Sequence, residues 1–289
     1  MTFRLSLLLF LFTSVSFFAA AQTLNPLKIA VLDESPNSQK FAEQFAQNLP
    51  PSNFKLIDKD LARAAAAGAK AVNPFNLTVD EAKNLGVLID CDFFFVIKSE
   101  TVRRSSFQRE VYFESYAIVF LASARTGRLI AWADKHFEAS TPAVAEETLL
   151  KETKKIAAEF SFKTIDAAER ERAARAENLA NPVLIEDLPD ETTAAEQNFR
   201  VPLPYKRLTP AYTQAARERS VEATVDIAAE INARGEVERT EIVRWAGFDL
   251  DEAAADNVKK MQFRPALRDG KPLAIRVLLR YNFRDLQKP

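Results

Sequence analysis

The sequence predicts two domains of mixed α and β structure, an N-terminal α/β layered domain with a mixed sheet and a C-terminal α+β domain. In the first half of the chain, short apolar strand patterns alternate with helical patterns, which is typical of α/β layers. In the last third, a strand hairpin, a helix and a further strand follow one another, which favours a three-stranded antiparallel sheet with two helices. We expect domains at residues 27–162 and 201–284, joined by a polar helix and acidic linker at residues 163–200.

The first residues have the features of a secretory signal peptide. Arg4 is the basic residue of a short leading region, Leu5 to Phe18 is mainly apolar, and Ala19 to Ala21 fits a small-residue cleavage motif. We therefore expect cleavage after Ala21, which gives a signal peptide at residues 1–21 and a periplasmic protein. The apolar run is short for a bilayer span, which needs about 20 residues. An uncleaved N-terminal anchor stays open as the alternative.

The first domain is expected to open with a strand, a helix and a second strand. The apolar run LKIAVLD predicts the first strand and FKLIDKD predicts the second. Between them, Phe41 and Phe45 recur at helical spacing after Ser38, which is a candidate N-cap. This order predicts one helix packed on a growing sheet.

An alanine-rich stretch and a second helix follow. Thr78 is a candidate N-cap for this helix and Gly86 is its candidate terminator. The apolar run from Phe93 to Ile97 then predicts a buried strand, and the turn Arg125-Thr126-Gly127 predicts a hairpin. The segment PAVAEETLLKETKKIAAEF predicts the helix that closes the domain.

The segment between the domains is polar. DAAERERAARAENLA predicts an alanine-rich polar helix, and NPVLIEDLPDETTAAEQNF is an acidic stretch punctuated by prolines. These pieces offer little apolar surface for a core shared by both domains, so we expect the domains to fold independently. A fragment that begins near Asn198 should then be soluble and unfold cooperatively.

The second domain is expected to contain a hairpin followed by a helix. From Val221 to Ile231, apolar residues alternate with polar ones, which predicts a half-buried strand with Asp226 on its outer face. Gly235 lies in the turn that leads into the returning strand. Asp249 is a candidate N-cap for the helix that comes next.

The last strand pattern runs from Leu273 to Phe283. It follows an Asp269-Gly270 turn, and Pro272 stands at its start, where a missing backbone N–H does least damage. Alternate residues of this segment are apolar and are expected to face inward. They are Leu273, Ile275, Val277, Leu279, Tyr281 and Phe283.

This succession resembles the TonB C-terminal domain, the periplasmic module of energy transducers that engages outer-membrane receptors. The resemblance spans about residues 202–284 and rests on Pro204-Tyr205, Pro210, the hairpin, AGFDLDEAAADNVKKMQFRPA and DGKP. Ala223 and Met261 stand where the family often shows a glycine-containing strand start and a tryptophan. The resemblance implies that the final strand pairs with the first and leaves one edge of the sheet open.

That open edge is the candidate partner-binding site. It is expected to accept an extended peptide through backbone hydrogen bonds. Opposite charges on neighbouring strands help to fix register, so we expect Arg276 and Arg280 to face Glu222, Asp226 and Glu230. The candidate residues of the edge are Leu273, Ile275, Arg276, Val277, Leu278 and Arg280.

The first domain resembles the N-terminal domain of TolB and the related periplasmic domains of the CsgG and LpoB type. The segments that carry this resemblance are IAVLD, NLGVLIDCDFFFVI and SARTGRLIAW. They match in element order and in small turn motifs rather than in reactive residues. The resemblance therefore implies a fold and a periplasmic setting, and no catalytic group.

Composition and motifs argue against several function classes. The chain has 289 residues, 47% of them hydrophobic, and a formal net charge of −1, which predicts a globular protein that does not bind nucleic acid. His136 is the only histidine, which excludes a multi-histidine metal site, and Cys91, the single cysteine, is interpreted as a small buried apolar residue. No glycine-rich phosphate motif is present. We expect no catalytic, cofactor-binding or metal-binding residues.

The favoured function is that of an exported adaptor protein without enzymatic activity. Its expected partner is an envelope or outer-membrane protein, with no nucleic acid and no small-molecule cofactor, and a homodimer is possible. Two alternatives stay open. One is an exported enzyme with an unrecognised site in the first domain, and the other is a TonB-type energy transducer with an uncleaved anchor.

Overall fold

The computed structural model describes residues 25–69, 73–180, 186–189 and 198–285. The expected signal peptide and its cleavage site after Ala21 lie outside these ranges, as does most of the acidic linker. Within the described ranges, no helix combines the length and the hydropathy needed to cross a membrane.

The N-terminal half contains a mixed sheet of five strands in the order β2-β1-β3-β4-β5. The first strand pairs in parallel with its two neighbours, whereas the remaining neighbours pair antiparallel, which confirms the expected mixed sheet. The strands are β1 (Leu27–Asp33), β2 (Phe54–Leu56), β3 (Phe93–Arg104), β4 (Tyr112–Ser123) and β5 (Leu129–Ala139).

Helices cover both faces of this sheet. Phe95 and its alternate neighbours pack against α1, α4 and α5, whereas Phe94 and its alternate neighbours face the opposite side, with α2 and α3. Burial on both faces explains why β3 and β4 contain continuous apolar runs, at Phe93–Ile97 and Tyr116–Ala122, rather than an alternating pattern. The helices are α1 (Gln39–Gln47), α2 (Lys59–Gly68), α3 (Val79–Ile89), α4 (Pro142–Lys151) and α5 (Thr153–Ala180).

Two details of the helix ends differ from expectation. Thr78 caps α3 in a reciprocal capping box with Glu81, as expected, but α3 continues past Gly86 to Ile89. A Cβ at Gly86 would lie 2.2 Å from the Cβ of Ala124, so this glycine serves close packing of α3 on the hairpin rather than helix termination. Ser38 does not cap α1, since its hydroxyl instead accepts the N–H of Ser99.

The closing helix of the N-terminal half and the expected polar linker helix are one element. α5 runs without interruption through residue 162, where the sequence predicted the end of the first domain. Its first turns pack Ile156 and Phe160 into the core, whereas residues 172–177 are exposed. A boundary drawn from composition therefore falls inside a continuous helix.

The C-terminal half is built around a three-stranded antiparallel sheet in the order β13-β8-β9. A short helix precedes this sheet and a longer one packs on it, as expected. Two small sheets, β10-β7 and β12-β11-β6, complete the half. The helices are α6 (Gln214–Glu218) and α7 (Leu250–Lys259). The strands are β6 (Phe199–Arg200), β7 (Leu203–Pro204), β8 (Ala223–Ile231), β9 (Val237–Arg244), β10 (Phe263–Arg264), β11 (Ala266–Arg268), β12 (Lys271–Leu273) and β13 (Ile275–Phe283).

The last strand pattern is divided in the structure. Leu273 belongs to the short strand β12 and pairs with Ala266, whereas β13 begins at Ile275 and pairs with β8. Asp249 stands at the N-cap position of α7 but its side chain makes no capping bond. Instead the carboxylate of Asp251 accepts the N–H groups of Ala246 and Gly247, both at 2.9 Å.

The two halves share one apolar core. Phe120 of β4 lies 5.9 Å from the ring of Trp245 and 5.7 Å from that of Phe248, both of which belong to the C-terminal half. The side-chain amide of Asn76 donates to the backbone oxygens of Thr224 and Trp245, each at 2.7 Å. The sequence expectation considered only the polar helix and the acidic linker, whereas the shared contacts lie between β4 and the segment before α7. Independent folding of the two halves stays a prediction.

Candidate partner-binding edge

β13 lies at one end of the C-terminal sheet, beside β8. Its register with β8 is continuous over the whole strand, from Ile275 opposite Ile231 to Phe283 opposite Ala223. In an antiparallel pair, successive residues point their backbone groups alternately toward the partner strand and away from it. Half of the backbone groups of β13 therefore point away from the sheet.

Two hydrogen bonds identify which backbone groups of β13 point away from the sheet. The N–H of Arg276 donates to the carbonyl oxygen of Glu186 at 3.0 Å, on the side away from β8. The carbonyl oxygen of Arg280 accepts from Nη2 of Arg207 at 3.2 Å. By alternation, the backbone groups of Leu278 and Asn282 point to this same outer side.

Two arginines of β13 bind carboxylates of β8 directly opposite them. Arg280 makes a bidentate pair with Asp226, with N–O distances of 2.7 and 2.9 Å, and Arg276 lies 3.1 Å from Glu230. Both carboxylates are buried rather than exposed as the alternation suggested, because the arginine side chains cover them. The expected partners Asp226 and Glu230 are thus in place, whereas Glu222 precedes β8.

The inner face of β13 is fixed by the core. Ile275 and Val277 are buried, and the hydroxyl of Tyr281 lies 3.5 Å from Sδ of Met261, two residues past the end of α7. On the outer face, the side chain of Leu278 is 58% exposed. A strand with a packed inner face and outward-pointing backbone groups presents a rigid template to an added strand.

The first position of this edge is already paired. Asp187 forms a parallel β-bridge with Arg276, and the carboxylate of Glu186 binds Arg268 through two contacts of 2.6 and 3.2 Å. Sequence reasoning assigned this stretch to the acidic linker and missed the contact. The apolar run VLI directly before Glu186 was the available signal for a strand.

An enzymatic site was the alternative, and Asp251 is the closest candidate for one. Burial raises its pKa to about 7, and it lines a cleft of about 370 Å³ between the two halves. Its two oxygens, however, are used by backbone N–H groups. Burial also raises the pKa of the Cys91 thiol to about 12, which disfavours the reactive thiolate, and His136 is an exposed residue of β5. In the described ranges, no group of three His, Cys, Asp or Glu residues could hold a metal ion.

Comparison with known proteins concerns mainly the C-terminal half. Residues 209–284 match the family model of the Gram-negative bacterial TonB protein C-terminal. The protein TonB of Vibrio cholerae serotype O1 is 28% identical over 105 residues, which cover 33% of this chain and 43% of that protein. The chain thus spans less than half the length of this curated relative.

Two solved structures are similar to parts of the chain. The TonB C-terminal domain of Pseudomonas aeruginosa is 19% identical, with 30% of this chain and 90% of that chain covered and a TM-score of 0.27. The LpoB C-terminal domain from Salmonella enterica is 11% identical, with 38% and 82% covered and a TM-score of 0.26. The family model confirms the resemblance expected from the sequence: residues 209–284 of this chain match the model of the Gram-negative bacterial TonB protein C-terminal.

Proposed function

We propose that this chain is an exported adaptor of the bacterial envelope whose C-terminal half captures an extended segment of a partner protein at the outer edge of β13. The partner is an envelope or outer-membrane protein, and the adaptor acts in the periplasm without chemistry of its own. The match of residues 209–284 to the TonB C-terminal family model supports the setting.

The observation that carries the proposal is the backbone hydrogen bond from Arg276 to Glu186. It supports the edge as a place where a further extended segment pairs with β13. Each additional backbone hydrogen bond contributes about 0.5–1.5 kcal/mol net, so several along Leu278 to Asn282 give a useful affinity. The exposed side chain of Leu278 offers an apolar contact beside these bonds.

Replacing Leu278 with proline tests the proposal. Proline removes the outward N–H and places a ring at the edge, so capture of the partner should be lost. Leu278→Thr is the matched control, since it shortens the same exposed side chain and keeps the N–H. A photo-crosslinking residue placed at exposed Asn282 reports capture in the periplasm, and identification of the cross-linked peptide gives the partner segment.

We expect cross-linking to persist in Leu278→Thr and to vanish in Leu278→Pro. Similar melting temperatures of the two variants show that both are folded. Undiminished cross-linking by a folded Leu278→Pro protein would rule out the edge of β13. A cross-linked product of two copies of this chain would instead assign the edge to a homodimer.

A further inference from the structure

We propose that the outer edge of β13 selects extended segments that carry a carboxylate beside Arg276, that Arg268 binds this carboxylate, and that Glu186 to Leu188 of the chain itself holds the position until a partner replaces it. The inference rests on the proposed strand addition and specifies the partner: an acidic peptide strand that runs parallel to β13.

The resident segment shows how such a strand is bound. Asp187 forms a parallel β-bridge with Arg276, and the carbonyl oxygen of Glu186 accepts the Arg276 N–H. In addition, the guanidinium of Arg268 donates to both carboxylate oxygens of Glu186. These hydrogen bonds lower the pKa of the Glu186 carboxyl group. One backbone contact and one charged contact thus define the first position of the edge.

Arg268 is positioned for this role by its surroundings. It is the last residue of β11 and lies opposite Phe199 of β6 in an antiparallel pair, with its guanidinium 5.8 Å from the centre of the Phe199 ring. The pairing of β11 with both β6 and β12 fixes the backbone on either side. A planar guanidinium held in this way suits bidentate binding of a carboxylate.

The site keeps unused donor groups. Nε of Arg268 and Nε of Arg276 are buried, and among the described residues neither has a hydrogen-bond partner. An unpaired buried donor carries an energetic cost. The Arg276 guanidinium is directed to Glu230 and Glu241. The resident segment therefore leaves Nε of Arg268 for a strand that presents a further acceptor oxygen, which favours its replacement by such a strand.

The contact of the resident segment is weak enough to be exchanged. The Glu186 side chain is 52% exposed and that of Arg268 is 32% exposed, so solvent screens their attraction. A partner peptide need only reproduce the parallel backbone bond and the carboxylate to compete. The resident segment competes better than a free peptide because it is tethered to the same chain. A variant in which this segment leaves the edge loses that advantage.

A labelled synthetic peptide of residues 182–190, PVLIEDLPD, is the probe. Its binding is measured on the full chain, on Glu186→Lys and on Glu177→Lys, which makes the same charge change on an exposed site of α5. Because lysine at position 186 repels Arg268, Glu186→Lys should open the edge and bind the peptide at least about threefold more tightly than the other two. Exchange of the Arg276 amide hydrogen should accelerate in the same variant.

The carboxylate is tested with a second peptide that has glutamine in place of its glutamate. On Glu186→Lys, this peptide should bind at least about threefold more weakly than the acidic one. Adding Arg268→Gln to the same chain should abolish the difference between the peptides. Equal binding of both peptides to Glu186→Lys, failure of the acidic peptide to bind it, or equal affinities of Glu186→Lys and the unchanged chain would overturn the inference.

Leu278→Pro separates this inference from strand addition itself. Suppose that both peptides bind Glu186→Lys with equal affinity and that adding Leu278→Pro to this variant abolishes the binding. Strand addition then stands and only the acid selection fails. If the acidic peptide binds Glu186→Lys equally well with and without Leu278→Pro, the binding does not use the edge, and both proposals are contradicted.

Discussion

Asp251 is a buried carboxyl group that holds the loop before α7. Its oxygens accept the N–H groups of Ala246 and Gly247, yet burial dominates and raises its pKa from 3.8 to about 7. Between these pH values the unfolded chain loses the proton and the folded chain keeps it. The free energy of unfolding should therefore fall as the pH rises from about 4 to about 7.

Asp251→Asn should remove this contribution. The difference in the free energy of unfolding between the unchanged chain and the variant should shrink by on the order of 4 kcal/mol from pH 4 to pH 7, as measured by urea denaturation. Asp256→Asn, on an exposed turn of the same helix, is the control and should show no such trend. A difference that is constant with pH would show that Asp251 is ionised throughout.

Residue types predicted the helix caps only in part. Thr78 and Glu81 form the box that their spacing indicates, because both partners belong to the same helix end. Ser38 and Asp249 are also typical cap residues, but they make no capping bond. The hydroxyl of Ser38 binds β3, a contact 61 residues away along the chain that local sequence cannot reveal.

Among the secondary-structure elements, α3 depends on glycine for its packing. Gly86 lies against Ala124, and there is no room for a Cβ. Gly68, the last residue of α2, has no atom within 4 Å of its ideal Cβ position. The two glycines therefore provide a matched pair on neighbouring helices.

Gly86→Ala should lower the free energy of unfolding by about 1–3 kcal/mol, because the added methyl group overpacks the contact between α3 and Ala124. Gly68→Ala should be neutral or stabilising by up to about 1 kcal/mol, since alanine loses less backbone entropy in a helix. Thermal and urea denaturation measure both. The same effect in both variants would mean that the close contact at Gly86 is not maintained in solution.

Most elements could be predicted from periodicity, but their ends could not. Alternation located β8 and β13, and the apolar run from Phe93 located β3. The pattern did not reveal the break after Leu273, because β12 and β13 continue the same alternation while pairing with different strands. The contact of Glu186 with β13 was missed for a similar reason, since it joins segments 90 residues apart.

At the scale of the whole molecule, Arg219 joins the two halves. Its guanidinium binds Asp134 of β5 at 2.9 Å and Glu114 of β4 at 2.7 Å, and it lies 4.1 Å from the ring of Tyr116. Burial disfavours ionisation of Glu114, but the guanidinium groups of Arg219 and Arg104 outweigh it and lower the pKa of this carboxyl group. No local pattern predicts a triad assembled from three separate segments.

Arg219→Met should lower the free energy of unfolding by about 3–5 kcal/mol, because the carboxylates of buried Glu114 and half-buried Asp134 lose their shared partner. Arg104→Met removes a more exposed partner of the same Glu114 and should cost no more than about 1 kcal/mol. Urea denaturation compares the two. If Arg219→Met costs no more than the control, the two halves are not joined through this residue.

The proposed partner adds a strand to the outer edge of β13. Amide hydrogen exchange of Leu278 and Asn282 measures this addition directly, with the partner segment identified by cross-linking added to saturation. Their N–H groups point outward, whereas those of Val277 and Leu279 face β8 and serve as internal controls. Exchange at Leu278 and Asn282 should become at least about tenfold slower, with the controls unchanged. Saturating binding that leaves the exchange of Leu278 and Asn282 unaltered would contradict strand addition.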